Sequence, residues 1–104
     1  MILEGKTALV TGGGRGIGAA IARALAQAGA AVLVTSRTRT EIDQVAADLR
    51  ASGHRAFAHA CDVSRPASVR ALVRAARKRL GRVDVLVNNA GIAPSAPIKS
   101  ITLE

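Results

Sequence analysis

Thr11-Gly12-Gly13-Gly14-Arg15-Gly16-Ile17-Gly18 is the stretch from which the fold is read. On its left lies a short apolar run, Thr7–Thr11 (TALVT), with the composition of a buried strand. On its right Ile17, Ala20, Ile21, Ala24, Leu25 and Ala28 recur at the spacing of one helix face, with Arg23 and Gln27 opposite and Gly29 suited to the stop. A glycine-rich turn between a strand and a helix has two physical uses. Glycine reaches positive φ without steric cost, and the missing side chains let backbone N–H groups approach a pyrophosphate held at the helix N-terminus. Two registers compete: Gly14-x-Gly16-x-x-Ala19, and Thr11-Gly12-x-x-x-Gly16-x-Gly18. A glycine connection with no ligand would have the same composition; the strand-to-helix placement favours a phosphate.

The pattern continues outward. Ala31–Thr35 (AVLVT) is a second apolar strand. Thr38-Arg-Thr-Glu41 has capping-box spacing and leads into a stripe of Ile42, Val45, Ala46 and Leu49 that Gly53 ends. Arg55–Ala60 is a weaker third strand, and Ser64 stands as the N-cap of a third helix with Pro66 in its first turn. That helix carries Val69, Leu72, Val73, Ala76 and Leu80 and ends at Gly81. Val83–Val87 (VDVLV) is a fourth strand running into Asn88-Asn-Ala-Gly91. The remainder, with Pro94 and Pro97, reads as loop, with a helix start near Thr102. The order βαβαβαβ predicts an α/β fold: a Rossmann-like, doubly wound parallel sheet in the order 3-2-1-4, its first two helices on one face and the third on the other.

Composition narrows the function. The 104 residues hold one core, and half of them are apolar, which excludes a disordered tail. No apolar run is long enough to span a membrane, no secretory signal opens the chain, and the single Cys61 excludes an internal disulfide, so a cytoplasmic setting is expected. The net charge of +8 comes from 12 Arg and 3 Lys against 7 acids. Arg70, Arg74 and Lys78 form a basic stripe, with Arg77 beside it, that would suit phosphates. With no Trp, no Tyr and only Phe57, the chain offers no aromatic platform for single strands, and a solvated helix face is favoured over a nucleic-acid surface. His59 and Cys61 would share a strand face, but no second ligand pair stands at a zinc-like spacing, and no metal is expected.

An acidic residue that would grip the adenosine ribose is expected about 20 residues after the glycines. The second strand ends instead in Thr35-Ser36-Arg37, with no carboxylate before Glu41. A guanidinium there suits a 2′-phosphate, with Ser36 adding a hydroxyl, so NADP(H) is expected over NAD(H).

TGGGRGIG at 11–18, Asp62-Val63 and Asn88-Asn-Ala-Gly91 together resemble the short-chain dehydrogenase/reductase family, in order and over nearly the whole chain. The resemblance implies that Gly12, Gly14, Arg15, Gly16, Ile17 and Gly18 surround the pyrophosphate and the nearby nicotinamide half. It implies Ser36 and Arg37 near the 2′-phosphate, Asp62 on the adenine amino group with Val63 against the ring, and Asn89, Ala90 and Gly91 along the adenosine ribose, while Asn88 braces the sheet. Chemistry in that family resembles general acid catalysis by a Tyr beside a Lys, and this sequence has no Tyr. Ser95 and Lys99 copy the spacing of that pair, but an alkyl hydroxyl cannot replace a phenol. No catalytic residue is therefore assigned. The expectation is the N-terminal, cofactor-binding part of an oxidoreductase acting on carbonyls or alcohols, a partial domain over residues 1–104 that is inactive alone. The alternative is a silent nucleotide-binding or interaction module. A central fourth strand left as a sheet edge, and a half-bare second face, predict self-association.

Overall fold

The computed structural model of the protein describes residues 2–89 and the backbone of residues 99–102. Elements follow in the order β1 (Thr7–Thr11), α1 (Gly16–Gln27), β2 (Ala31–Thr35), α2 (Arg39–Ala51), β3 (Ala56–Ala58), α3 (Pro66–Leu80), β4 (Val85–Asn88) and β5 (Lys99–Thr102). One sheet carries the strands in the order β3-β2-β1-β4-β5. The first four are parallel and in the expected order 3-2-1-4; β5 runs antiparallel to β4, with Leu86 opposite Ile101.

The strands are apolar because both faces are covered. In β1 and β2, Ala8, Val10, Val32 and Val34 point to one side, where they pack with Ala19, Ala22 and Ala26 of α1 and Ile42, Val45, Ala46 and Leu49 of α2. Leu9, Ala31 and Leu33 point to the other, against Leu72, Ala76 and Leu80 of α3 and Cys61. Leu33 and Ile42 are fully buried, and each contributes about 2 kcal/mol of apolar transfer free energy. Gly29, Gly53 and Gly81 follow the three helices at positive φ, as helix stops require.

Several expectations need correction. The buried face of α1 is Gly18, Ala19, Ala22 and Ala26, and Ile17 is 60% exposed. Small side chains let the helix axis lie close to the sheet, while Ile21 and Leu25 pack at its margin. The N-cap of α3 is Arg65, not Ser64, whose hydroxyl is spent on Asp62. Thr38 is the N-cap of α2 but makes no side-chain cap bond, and Glu41 turns toward Arg15 instead of closing a capping box. The third strand ends at Ala58, so His59 and Cys61 lie beyond it and share no strand face. Thr102 ends a strand rather than starting a helix, and β4 is not an edge, because β5 covers it. Pro94, Ser95 and Pro97 lie outside the described residues. Among the described residues no helix is long and apolar enough to cross a membrane.

Candidate nucleotide-binding site

The carboxyl ends of β1, β2 and β4 form one rim of the molecule, where the chain order reverses between β2 and β4 on either side of β1. In an open α/β sheet this is where ligands bind. Thr11 pairs in register with Thr35 on one side and Asn88 on the other.

The glycine turn crosses this rim. Gly12 and Gly16 have φ of 65° and 58°, a conformation that L side chains rarely adopt. Gly13 donates its N–H to the Thr35 carbonyl at 3.1 Å and packs so tightly on Val34 that a Cβ would fall 2.9 Å from that side chain. A Cβ at Gly14 would likewise fall 2.8 Å from the Glu41 Cβ. At Gly18 a Cβ would sit 1.9 Å from the Gly12 carbonyl oxygen. Of the two competing registers, Thr11-Gly12-x-x-x-Gly16-x-Gly18 therefore accounts for the hardest constraints: two positive φ angles and one backbone-on-backbone approach. Helix α1 then starts with no side-chain cap, because its N-cap is Arg15, which has no acceptor. Its first-turn N–H groups have no acceptor within the helix and carry the positive end of its dipole.

Asn88 and Asn89 hold the turn from the β4 side. The Thr11 hydroxyl donates to Asn88 Oδ1 at 3.0 Å and accepts from the Asn89 N–H at 2.9 Å. Asn89 Nδ2 donates to the Gly12 carbonyl at 3.3 Å. The bracing expected of Asn88 is present, and Asn89 braces as well, a role that spacing alone does not reveal. Ala90 and Gly91 lie outside the described residues.

Beside the turn, Thr11, Gly12, Thr35, Ser36, Arg37, Cys61, Asp62, Val63 and Ser64 line a cleft of about 240 Å³. Arg37 is exposed, and the Ser36 hydroxyl accepts from the Thr38 N–H at 3.1 Å, so it folds the β2–α2 connection on itself. Asp62 Oδ1 accepts from the Ser64 hydroxyl at 2.6 Å and the Ser64 N–H at 3.0 Å. These bonds, helped by the charges of Arg37 and Arg65, hold its carboxyl below the usual range. Val63 is half-exposed at the rim. The predicted residues Gly12, Ser36, Arg37, Asp62 and Val63 thus meet in one cleft, with Gly14 and Arg15 on the adjoining turn and Gly16, Ile17 and Gly18 opening α1. Arg15 stands 3.8 Å from Glu41 rather than inside the cleft. A larger hollow among Lys6, Ala30, His54 and Arg55 lies at the opposite strand ends, away from the switch point.

A dinucleotide phosphate fits these residues. An uncapped helix end faces the glycine turn, side chains are absent where a backbone must be approached, and the exposed guanidinium of Arg37 lines the same cleft as the carboxylate of Asp62.

The sequence model of the short chain dehydrogenase family matches residues 6–104. An uncharacterized oxidoreductase of Mycobacterium tuberculosis is 51% identical over 89 residues, covering 86% of this chain and 34% of its own length. A metagenomic short-chain oxidoreductase in complex with NADP superposes with a TM-score of 0.82 at 44% identity, over 88% of this chain and 42% of that one. A short-chain dehydrogenase from Burkholderia cenocepacia in complex with NADP gives 0.82 at 47% identity, over 88% and 38%. The chain thus spans about a third of the length of that curated relative and about two-fifths of the solved chains.

Proposed function

The chain belongs to the short-chain dehydrogenase family, and from that premise we propose that it is the cofactor-binding part of an NADP(H)-dependent oxidoreductase that interconverts carbonyls and alcohols. The observation that carries the reading is the pairing of the uncapped start of α1 with the exposed Arg37 across one strand-end rim. The bound cofactor would supply the hydride. The protein's share is binding. First-turn N–H groups of α1 and the Gly12–Gly18 backbone would take the pyrophosphate. Arg37, with the Ser36 hydroxyl beside it, would take the 2′-phosphate, which needs a cation where an NAD site places a carboxylate. Asp62 and Val63 would hold the base, one by its charge and one by its apolar face. The NADP complexes of the two structural relatives support this choice over NAD.

The 104 residues contain no Tyr, so no proton step is assigned to them. Taken alone, the chain is proposed to bind nucleotide without turning over a carbonyl substrate, in the cytoplasm, where Cys61 stays reduced. We also propose that it self-associates. With β4 covered, the candidate surfaces are β5 and the hollow of about 450 Å³ lined by Leu9, Val73, Ala76 and Val83 at the foot of α3.

Titration calorimetry of the 104-residue chain with NADPH and NADH tests the main reading, paired with hydrogen exchange. Binding of NADPH tighter than NADH is expected, with protection of residues 12–18. Folded protein that takes up neither nucleotide would overturn it.

A further inference from the structure

The last strand residues of β2, β1 and β4 form a row across the sheet: Thr35, Thr11 and Asn88. Two of the three are bonded to each other, Thr11 donating to Asn88 Oδ1. Thr35 is different. It is 1% exposed, and its hydroxyl oxygen has no hydrogen-bond partner among the described residues. Its side chain lies on the α3 face of the sheet, the side of Leu33, and it lines the cleft with Cys61, Asp62 and Val63. A buried hydroxyl without a partner is uncommon in a folded protein and calls for an explanation. Removal of its partner is costly, whereas a threonine that never needed one would be replaced by valine at no loss.

We propose that the Thr35 hydroxyl is a base-reading group: it completes its hydrogen bonding with the polar edge of the purine of the bound dinucleotide, next to the amine taken by Asp62. This rests on the nucleotide-binding reading above and adds a residue and a chemical division to it. The cleft has two sides of opposite character. Arg37 lies on the β2–α2 connection, and Asp62, bonded by Ser64, lies on the β3–α3 connection with Val63 and Cys61. Next to Asp62 a phosphate would meet like charge. A flat neutral heterocycle bearing an amine meets a carboxylate, an apolar wall and a hydroxyl. That hydroxyl can donate, which the carboxylate cannot, and so can serve the ring nitrogen that flanks the amine. The volume of about 240 Å³ far exceeds the roughly 10–15 Å³ that a single ordered water needs, so one bridging water would not fill it.

The test compares wild type, Thr35→Val and Thr35→Ser as full chains. Calorimetry is run with NADPH and with adenosine 2′,5′-bisphosphate, which keeps the base and the extra phosphate but lacks the nicotinamide. Thermal unfolding of the ligand-free proteins is measured in parallel. Thr35→Val is expected to weaken both ligands about three- to tenfold, and to melt at or above the wild-type temperature, because among the described residues its hydroxyl makes no bond to lose. Thr35→Ser is expected to restore binding to within about twofold of wild type. Three results would overturn the proposal. Equal binding by Thr35→Val would leave the hydroxyl with no role in recognition, while the nucleotide reading stands. A large drop in the melting temperature of Thr35→Val would show that its hydroxyl has a structural partner. No binding of either ligand by folded wild type would remove the nucleotide reading itself, and Thr35's role with it.

Discussion

Replacing Gly18 by alanine is the sharpest perturbation that the site offers. The added Cβ would stand 1.9 Å from the Gly12 carbonyl oxygen and 2.7 Å from Asn89 Nδ2, whereas real Cβ atoms essentially never approach a neighbour within 3.0 Å. Helix α1 and the turn must therefore part by about 1 Å or more, and the obstacle is backbone, which cannot swing aside as a side-chain tip can. That movement would also strain the bond that Asn89 donates to the same carbonyl. Overpacking of this kind costs about 1–3 kcal/mol, and the backbone contact places Gly18→Ala near the top of that range. Gly16→Ala is the control. It has open space around its Cβ and a φ of 58°, so only the left-handed backbone resists the change, at a cost of about 1–2 kcal/mol. Denaturant midpoints should fall in the order wild type, Gly16→Ala, Gly18→Ala, with unchanged slopes. Gly18→Ala should also bind NADPH more weakly than its loss of stability explains, because the donors at the start of α1 have been displaced. A Gly18→Ala protein at least as stable as Gly16→Ala would refute the reasoning and return Gly18 to the status of an ordinary helix residue.

Arg37→Asp should weaken NADPH about tenfold or more, as expected for loss of charge-assisted bonds, and leave NADH nearly unchanged; parallel titrations that show equal losses for both would remove the phosphate assignment. Asp84 Oδ2 accepts from the Thr7 N–H at 2.9 Å and Oδ1 pairs with Arg82 at 3.0 Å. The Thr7 bond, with Arg82 adding to it, holds its carboxyl below the ordinary 3.8. A depressed folded pKa contributes stability above the ordinary value that is lost as pH falls through the folded value. Unfolding curves should therefore steepen below about pH 4, and Asp84→Asn should be less stable at neutral pH with a flatter acid limb. Val73 is 44% exposed beside Leu9 and Val83 at the foot of α3. Val73→Lys should reduce concentration-dependent association in sedimentation, and an unchanged profile would place the contact elsewhere.

Much of the site was legible because it is local. Thr11–Gly18 and Ser36-Arg37 each lie at a single strand end, so strand periodicity and residue chemistry were enough to locate them. The proposed assignment of Asp62-Val63 to the base rests on the resemblance, since nothing in its own spacing points there. The choice between the two glycine registers required coordinates: Gly18 is constrained by Gly12 across the turn, and that approach depends on how α1 leans on β1. Thr38 does stand at the N-cap of α2, but the box does not close because Glu41 turns to Arg15. Ser64 misses its cap because a short polar side chain has several partners within reach, and its hydroxyl goes to Asp62.

From its order alone the sequence determined the alternating strands and helices, the parallel sheet and the placement of the glycine turn, because apolar periodicity and glycine stereochemistry act over a few residues. Tertiary structure alone decided which helix face is buried, that a fifth strand covers β4, that Asn89 clamps Gly12, and that the Thr35 hydroxyl has no partner among the described residues. Each of those depends on atoms brought together from distant parts of the chain, and pairings of that kind leave no periodic mark in the sequence.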